Sequence, residues 1–138
     1  MNHKVKVAFL ALIFLQALHS LEEYAFGFFE VFPPARLLNE IWPGVAQPGF
    51  IAFNVLLVAF GLWCFFWRVQ PGAHTARRWA WLWVVIEAYN GIGHPIWAAA
   101  IHGYNPGLAS APFLLGLSLY LAFQLHSSAR SVPSQAAA

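Results

Sequence analysis

Aspartate is missing from this 138-residue sequence, whose five acidic residues are all glutamates. Charge of either sign is scarce, at 9% of residues, against about 25% in an average soluble domain. So little charge leaves most of a folded surface unhydrated, which excludes an ordinary water-soluble globule. The seven basic residues are dispersed, so there is no cationic run of the kind that tracks a nucleic-acid backbone. Cys64 is the single cysteine, which excludes an internal disulfide and a cysteine-based metal site. Its neighbours Leu62, Trp63, Phe65 and Phe66 make it a small hydrophobe. In place of charge the chain has 60% hydrophobic residues, with seven Trp and thirteen Phe. This composition fits a lipid-facing exterior with aromatic residues at its interfaces.

Four apolar segments approach the length needed to span about 30 Å of hydrocarbon as helices: Val5–Phe28, Phe50–Trp67, Trp79–Ile101 and Leu108–Leu125. Turn residues separate them, with Pro33-Pro34, Pro43-Gly44 and Pro48-Gly49 before the second, Pro71-Gly72 before the third and Asn105-Pro106-Gly107 before the fourth. The expected fold is an all-α integral membrane bundle of four transmembrane helices, one domain over residues 1–126, with a flexible polar tail over 127–138. Lys4, Lys6, Arg68, Arg77, Arg78 and Arg130 fall on one side of that bundle, leaving only Arg36 on the other. By the positive-inside rule both termini are then cytoplasmic, in a multi-pass protein of the bacterial cytoplasmic membrane. Lys4 and Lys6 before an apolar run also resemble a secretory signal, but Ala17–Ser20 offers no clean cleavage pattern and the apolar character continues past it. In loop one, Pro34–Trp42 reads as a short interfacial helix, with Arg36 and Glu40 paired at i, i+4 and Trp42 as an anchor.

Against that apolar background, His19-Ser20-Leu21-Glu22-Glu23 puts an imidazole and two carboxylates near the end of the first span. Ionisable groups at membrane depth cost several kcal/mol, on the order of 3 on insertion scales, and mark functional sites. At about 100° per residue, His19, Glu22 and Glu23 share one helix face. The third span adds Glu87, Asn90 and His94 at i, i+3 and i+7. His19 lies about 22 Å of helix from Lys4 and His94 about 24 Å from Arg78, so the two histidines reach similar depth in the outer half of the bilayer. Asn54 lies near that level, and His102 and Asn105 lie at the outer mouth. Gly91, Gly93 and Pro95 flank the stripe; Pro95 removes a helix hydrogen bond, while the glycines allow close packing.

The motif His19-Ser20-Leu21-Glu22-Glu23, with the Asn90-to-His94 segment and Tyr104-Asn105-Pro106-Gly107-Leu108, resembles the HXXEE-domain family of small bacterial membrane proteins. The resemblance spans the first to the fourth segment. It implies a membrane enzyme of uncharacterised activity, with His19, Glu22, Glu23, His94 and Tyr104 as the positions to test.

The leading expectation is an intramembrane metal-dependent enzyme. His19, Glu22, Glu23, His94 and His102 are its candidate ligands, and Glu22, Glu23, Glu87 and Tyr104 its candidate catalytic groups. Asn54, Asn90 and Asn105 line the polar pocket. Imidazole with carboxylate suits zinc or non-haem iron. Zinc implies hydrolysis and iron implies oxidation, of a lipid or other apolar substrate entering from the outer side. The alternatives are a metal-free acid–base lipid isomerase and a proton- or ion-handling accessory subunit. Expected partners are membrane lipids and a second copy or a larger membrane complex, with no nucleic acid.

Overall fold

A computed structural model describes residues 1–130. It is all helical, with no strand among the described residues: α1 (His3–Ala25), α2 (Phe28–Val31), α3 (Pro33–Ile41), α4 (Ala46–Cys64), α5 (Ala76–Ile101) and α6 (Ala111–Arg130). A π-helical turn, Phe65–Val69, continues α4.

Local chemistry sets the boundaries. Asn2 caps α1, its side-chain oxygen accepting from the Val5 amide at 2.8 Å, which satisfies one of the donors every helix N-terminus leaves open. Gly27 then takes φ 71°, a conformation that ends the helix. Phe28 therefore begins a separate turn, α2, rather than finishing the first span. Pro33 and Pro34 occupy the first turn of α3, where a missing N–H costs nothing. A short helix is thus present in loop one where an interfacial one was expected, shifted by one residue. The Arg36–Glu40 pair expected on it is not among the ion pairs of the described residues, which are histidine–glutamate contacts. α4 begins before Phe50 and its π-turn ends beyond Trp67. α5 continues unbroken through Pro95. α6 starts at Ala111 rather than Leu108, because the preceding residues form a turn (Leu108 N to Asn105 O, 3.2 Å). α6 also continues through Ser127 to Arg130, where a flexible tail was expected; the rest of that expected tail, 131–138, lies outside the described residues.

α5 packs along α6, α6 against α1, and α1 against α4. Phe9, Leu12, Ile13, Trp83, Leu114 and Leu121 are fully buried between them. Gly91 permits the close α5–α6 approach: a Cβ there would lie 2.6 Å from Leu115 Cβ and 2.9 Å from the Ala111 carbonyl oxygen. At one end of the bundle, Asn2 Nδ2 donates to Ser128 Oγ at 2.7 Å, so the start of α1 and the end of α6 share a side. The end of α1, the end of α5 and the start of α6 meet at the other, where the polar residues gather.

α1 and the stretch Ala46–Val69 are each long and apolar enough to cross a membrane. α5 and α6 do not reach the same apolarity. α5 carries Arg77, Arg78, Glu87, Asn90 and His94, and α6 carries Ser118, Gln124 and His126.

Candidate metal centre

His19 and Glu23 stand one turn apart on α1, and His94 reaches them from α5. His19 Nε2 lies 3.6 Å and His94 Nε2 3.4 Å from the same Glu23 oxygen, Oε1. One ligand atom from each of the three residues lies within 4.8 Å of the others, and all three residues are buried. The imidazoles meet edge to face, their centroids 4.8 Å apart. Tetrahedral zinc with bonds of about 2.0–2.2 Å sets ligand atoms roughly 3.3–3.6 Å apart, so the two contacts to Glu23 already have ligand spacing.

What surrounds the cluster determines which atoms carry protons. Asn105 Nδ2 donates to the His94 backbone carbonyl at 2.9 Å, so the Asn105 oxygen faces His94 Nδ1, at 3.1 Å. A carbonyl only accepts, which fixes the amide orientation. Asn105 Oδ1 then requires a proton on His94 Nδ1. On the other ring, His19 Nδ1 lies 2.7 Å from Ser110 Oγ. The Ser110 hydroxyl donates its one proton to Glu22 Oε2, so its oxygen accepts from His19 Nδ1–H. Both Nε2 atoms then face the same carboxylate oxygen, and His19 Nε2 is buried with no hydrogen-bond partner. Two imidazole nitrogens converging on one carboxylate oxygen in a buried site need a shared proton or a bound cation between them.

Glu22, expected as a ligand, turns away from this group. Its Oε1 accepts from Tyr104 Oη (2.6 Å) and the Ala109 amide (3.0 Å), and its Oε2 from the Ser110 amide (2.9 Å) as well as the Ser110 hydroxyl. It is an anion docked on the N-terminus of α6, where backbone N–H groups and the helix dipole favour negative charge. Tyr104 is exposed, and partial desolvation with its bond to Glu22 pushes its phenol up to about 12, so it acts as a donor across the physiological range. His102 is also exposed, at the left-handed end of α5, and is not brought to the cluster.

Three other expected polar residues lie near the cluster without joining it. Asn54 Oδ1 accepts from Ser20 Oγ at 2.7 Å, Ser20 Oγ accepts from Gln16 Nε2 at 3.0 Å, and Gln16 Oε1 accepts from Asn90 Nδ2 at 3.3 Å. This chain of bonds links α4, α1 and α5. Glu87 is fully buried and neither of its oxygens is hydrogen-bonded; at seven residues from His94 it is about 10 Å of helix away.

Ser110 escaped the sequence reading, and Gly107 entered it only as a turn and motif residue. Ser110 had a usable signal, a serine immediately before Ala111-Pro112, where a helix N-cap belongs. Gly107 sits at φ 92°, and a Cβ there would fall 2.5 Å from His94 Cε1 and 2.8 Å from His19 Cε1. Its lack of a side chain is what lets the loop backbone close over both rings.

The molecule is thus a helical bundle built around two histidines and one carboxylate, held by an outer ring of Glu22, Ser110, Asn105 and Gly107. It belongs to the HXXEE family, proteins of unknown function with an HXXEE motif, which matches residues 10–121; the motif itself is His19–Glu23. No curated protein and no solved structure matches the chain.

Proposed function

We propose that this chain is a four-span protein of the bacterial cytoplasmic membrane whose His19, Glu23 and His94 bind one zinc or iron ion. The bound ion serves an enzyme that acts on a lipid or another apolar molecule from the outer side. The observation that carries this reading is the convergence of two imidazole Nε2 atoms on one carboxylate oxygen, each imidazole tied at its far nitrogen. Two histidines and a carboxylate are a ligand set for catalytic zinc and also for non-haem iron, and both keep positions open for water or substrate. Zinc would lower the pKa of a bound water for hydrolysis; iron would support oxidation.

The membrane setting is supported by the exterior. Phe14, Leu18, Leu21, Phe53, Val55, Leu56, Ile96 and Phe123 are all exposed, far more apolar surface than a soluble monomer presents. α3 leaves Leu37, Leu38 and Ile41 uncovered, as an interfacial helix does. A groove of about 570 Å³ between α1 and α4 is lined by Ala17, Leu21, Ile51, Val55, Val58 and Leu62, with Ser20 and Asn54 as polar points. Its lining suits an apolar chain whose head group reaches toward Glu23, one turn beyond Ser20.

The test is elemental analysis of detergent-purified protein after exposure to zinc or ferrous iron, beside folded Glu23→Gln and His94→Ala variants. One ion per chain, lost in both variants, is the expected result. No bound metal in the wild type after reloading refutes the reading and favours metal-free acid–base chemistry, for which the 3.4 Å contact of His94 with Glu23 is the proton-sharing pair.

A further inference from the structure

We infer that Glu22 is a positioning residue that acts through Ser110 to fix the tautomer of His19, and that it is not a metal ligand. The inference rests on the metal reading above and assigns this carboxylate of the HXXEE motif a separate task.

Four donors occupy the two Glu22 oxygens: the Tyr104 phenol, the Ala109 and Ser110 amides and the Ser110 hydroxyl. Turning Glu22 toward His19 Nε2 would strand two backbone amides at the start of α6. Glu23, one residue on, has both histidine contacts. The adjacent carboxylates therefore divide the work, Glu23 facing the cluster and Glu22 facing the helix end behind it. Ser110 connects the two, because a hydroxyl has one proton. Giving it to Glu22 makes the serine oxygen an acceptor toward His19 Nδ1, 2.7 Å away, and that selects the tautomer with a bare Nε2. A carboxylate behind a ligating histidine is a recurring outer-shell device, whose removal typically lowers metal affinity by about 10–100-fold. Here the serine lies between the two.

The same geometry admits one rival, in which Ser110 is a nucleophile and His19 its base. That requires the serine proton to lie toward His19 Nδ1, whereas Glu22 is charged and at least as close, and two amides hold it there.

The test is a zinc titration of the purified full chain by calorimetry, together with ¹⁵N NMR of the histidine side chains in the zinc-free protein. Wild type should bind one zinc, with His19 as the Nδ1–H tautomer. Ser110→Ala and Glu22→Gln should still bind one zinc, about 10–100-fold more weakly, with His19 redistributed between tautomers. Ser110→Thr should restore both. Ser110→Ala leaves the amide bonds to Glu22 in place, so it serves if Glu22→Gln does not fold. Loss of the whole zinc site in folded Glu22→Gln would make Glu22 a ligand and overturn the inference. So would wild-type affinity and tautomer in Ser110→Ala, or covalent labelling of Ser110 by a fluorophosphonate. A wild type that binds no zinc or iron overturns the metal reading itself, and this inference with it.

Discussion

Gly107→Ala is the sharpest single perturbation of this site. The added methyl would lie 2.5 Å from His94 Cε1, 2.9 Å from His94 Nδ1 and 2.8 Å from His19 Cε1. Carbon atoms in contact prefer about 3.5–4.0 Å, so both rings must retreat by roughly 1 Å or the loop must lift. Such overpacking costs about 1–3 kcal/mol, and a side chain at φ 92° adds on the order of 1–3 kcal/mol of backbone strain. The expected loss is roughly 2–6 kcal/mol of stability. The effect on metal should be larger in kind, since ligand distances tolerate only about 0.2 Å of error. Thermal unfolding in detergent, with and without excess zinc, reads both: Gly107→Ala should melt earlier and gain little from zinc. Gly116→Ala is the control, because nothing lies within 4 Å of its added methyl; in a helix it should stabilise by up to about 1 kcal/mol. A Gly107→Ala protein that binds zinc like wild type and melts at the same temperature would refute the close packing of this loop on the histidines.

A chelator should lower the melting temperature of zinc-loaded wild type, by the equivalent of about 2.7 kcal/mol if zinc had been present at 100 times Kd, and should leave Glu23→Gln unchanged. Glu87→Leu replaces a fully buried carboxyl that has no hydrogen-bond partner and should raise stability by roughly 1–3 kcal/mol; a fall in melting temperature would show that Glu87 has a partner in the working protein. Gly91→Ala drives a methyl against Leu115 and the Ala111 carbonyl. It should destabilise the α5–α6 pair by about 1–3 kcal/mol, read as an earlier melt, while the zinc stoichiometry of the folded fraction holds.

The helices were legible because apolar runs bounded by proline and glycine leave few alternatives. The shared depth of His19 and His94 also followed from counting helical rise, and the two rings do meet. Glu22 was harder to read. On a helical wheel it lies beside Glu23 and His19, and nothing in the spacing says that the start of α6 will approach and claim it. That depends on Leu108–Ser110 forming a turn rather than the first residues of a span, and their apolar character concealed this. His102 looked like a ligand by type and height, but the left-handed end of α5 leaves it outside. Gly27 ended α1 early for a similar reason: one residue with φ above zero overrides a hydrophobic pattern that continues through it.

Averaged over its residues, α5 falls short of the apolarity of α1 and of Ala46–Val69, but the average hides how those residues are arranged. Its buried positions include Glu87, at 0% exposure, and His94, at 6%, whereas Leu82, Val85, Tyr89, Ile92 and Ile96 are exposed. Those five recur at alternating steps of three and four, one continuous helical stripe. Glu87 and His94 thus face the bundle, while the stripe exposed on the outside is apolar. A buried carboxyl and imidazole behind an apolar outer stripe is what a helix set in hydrocarbon would have, and that placement can be tested. Tyr89→Lys separates the two settings, because Tyr89 is 78% exposed and lies near the middle of α5. On a water-facing surface such a change should stay within about 0.5 kcal/mol. Facing lipid at mid-span it should cost roughly 2.5–3.5 kcal/mol on insertion scales, less what the lysine recovers by reaching for the interface. Membrane-fraction yield and melting temperature in lipid nanodiscs, compared with Tyr89→Leu, measure the difference. If lysine is tolerated as well as leucine, α5 does not face lipid there and the four-span arrangement is wrong.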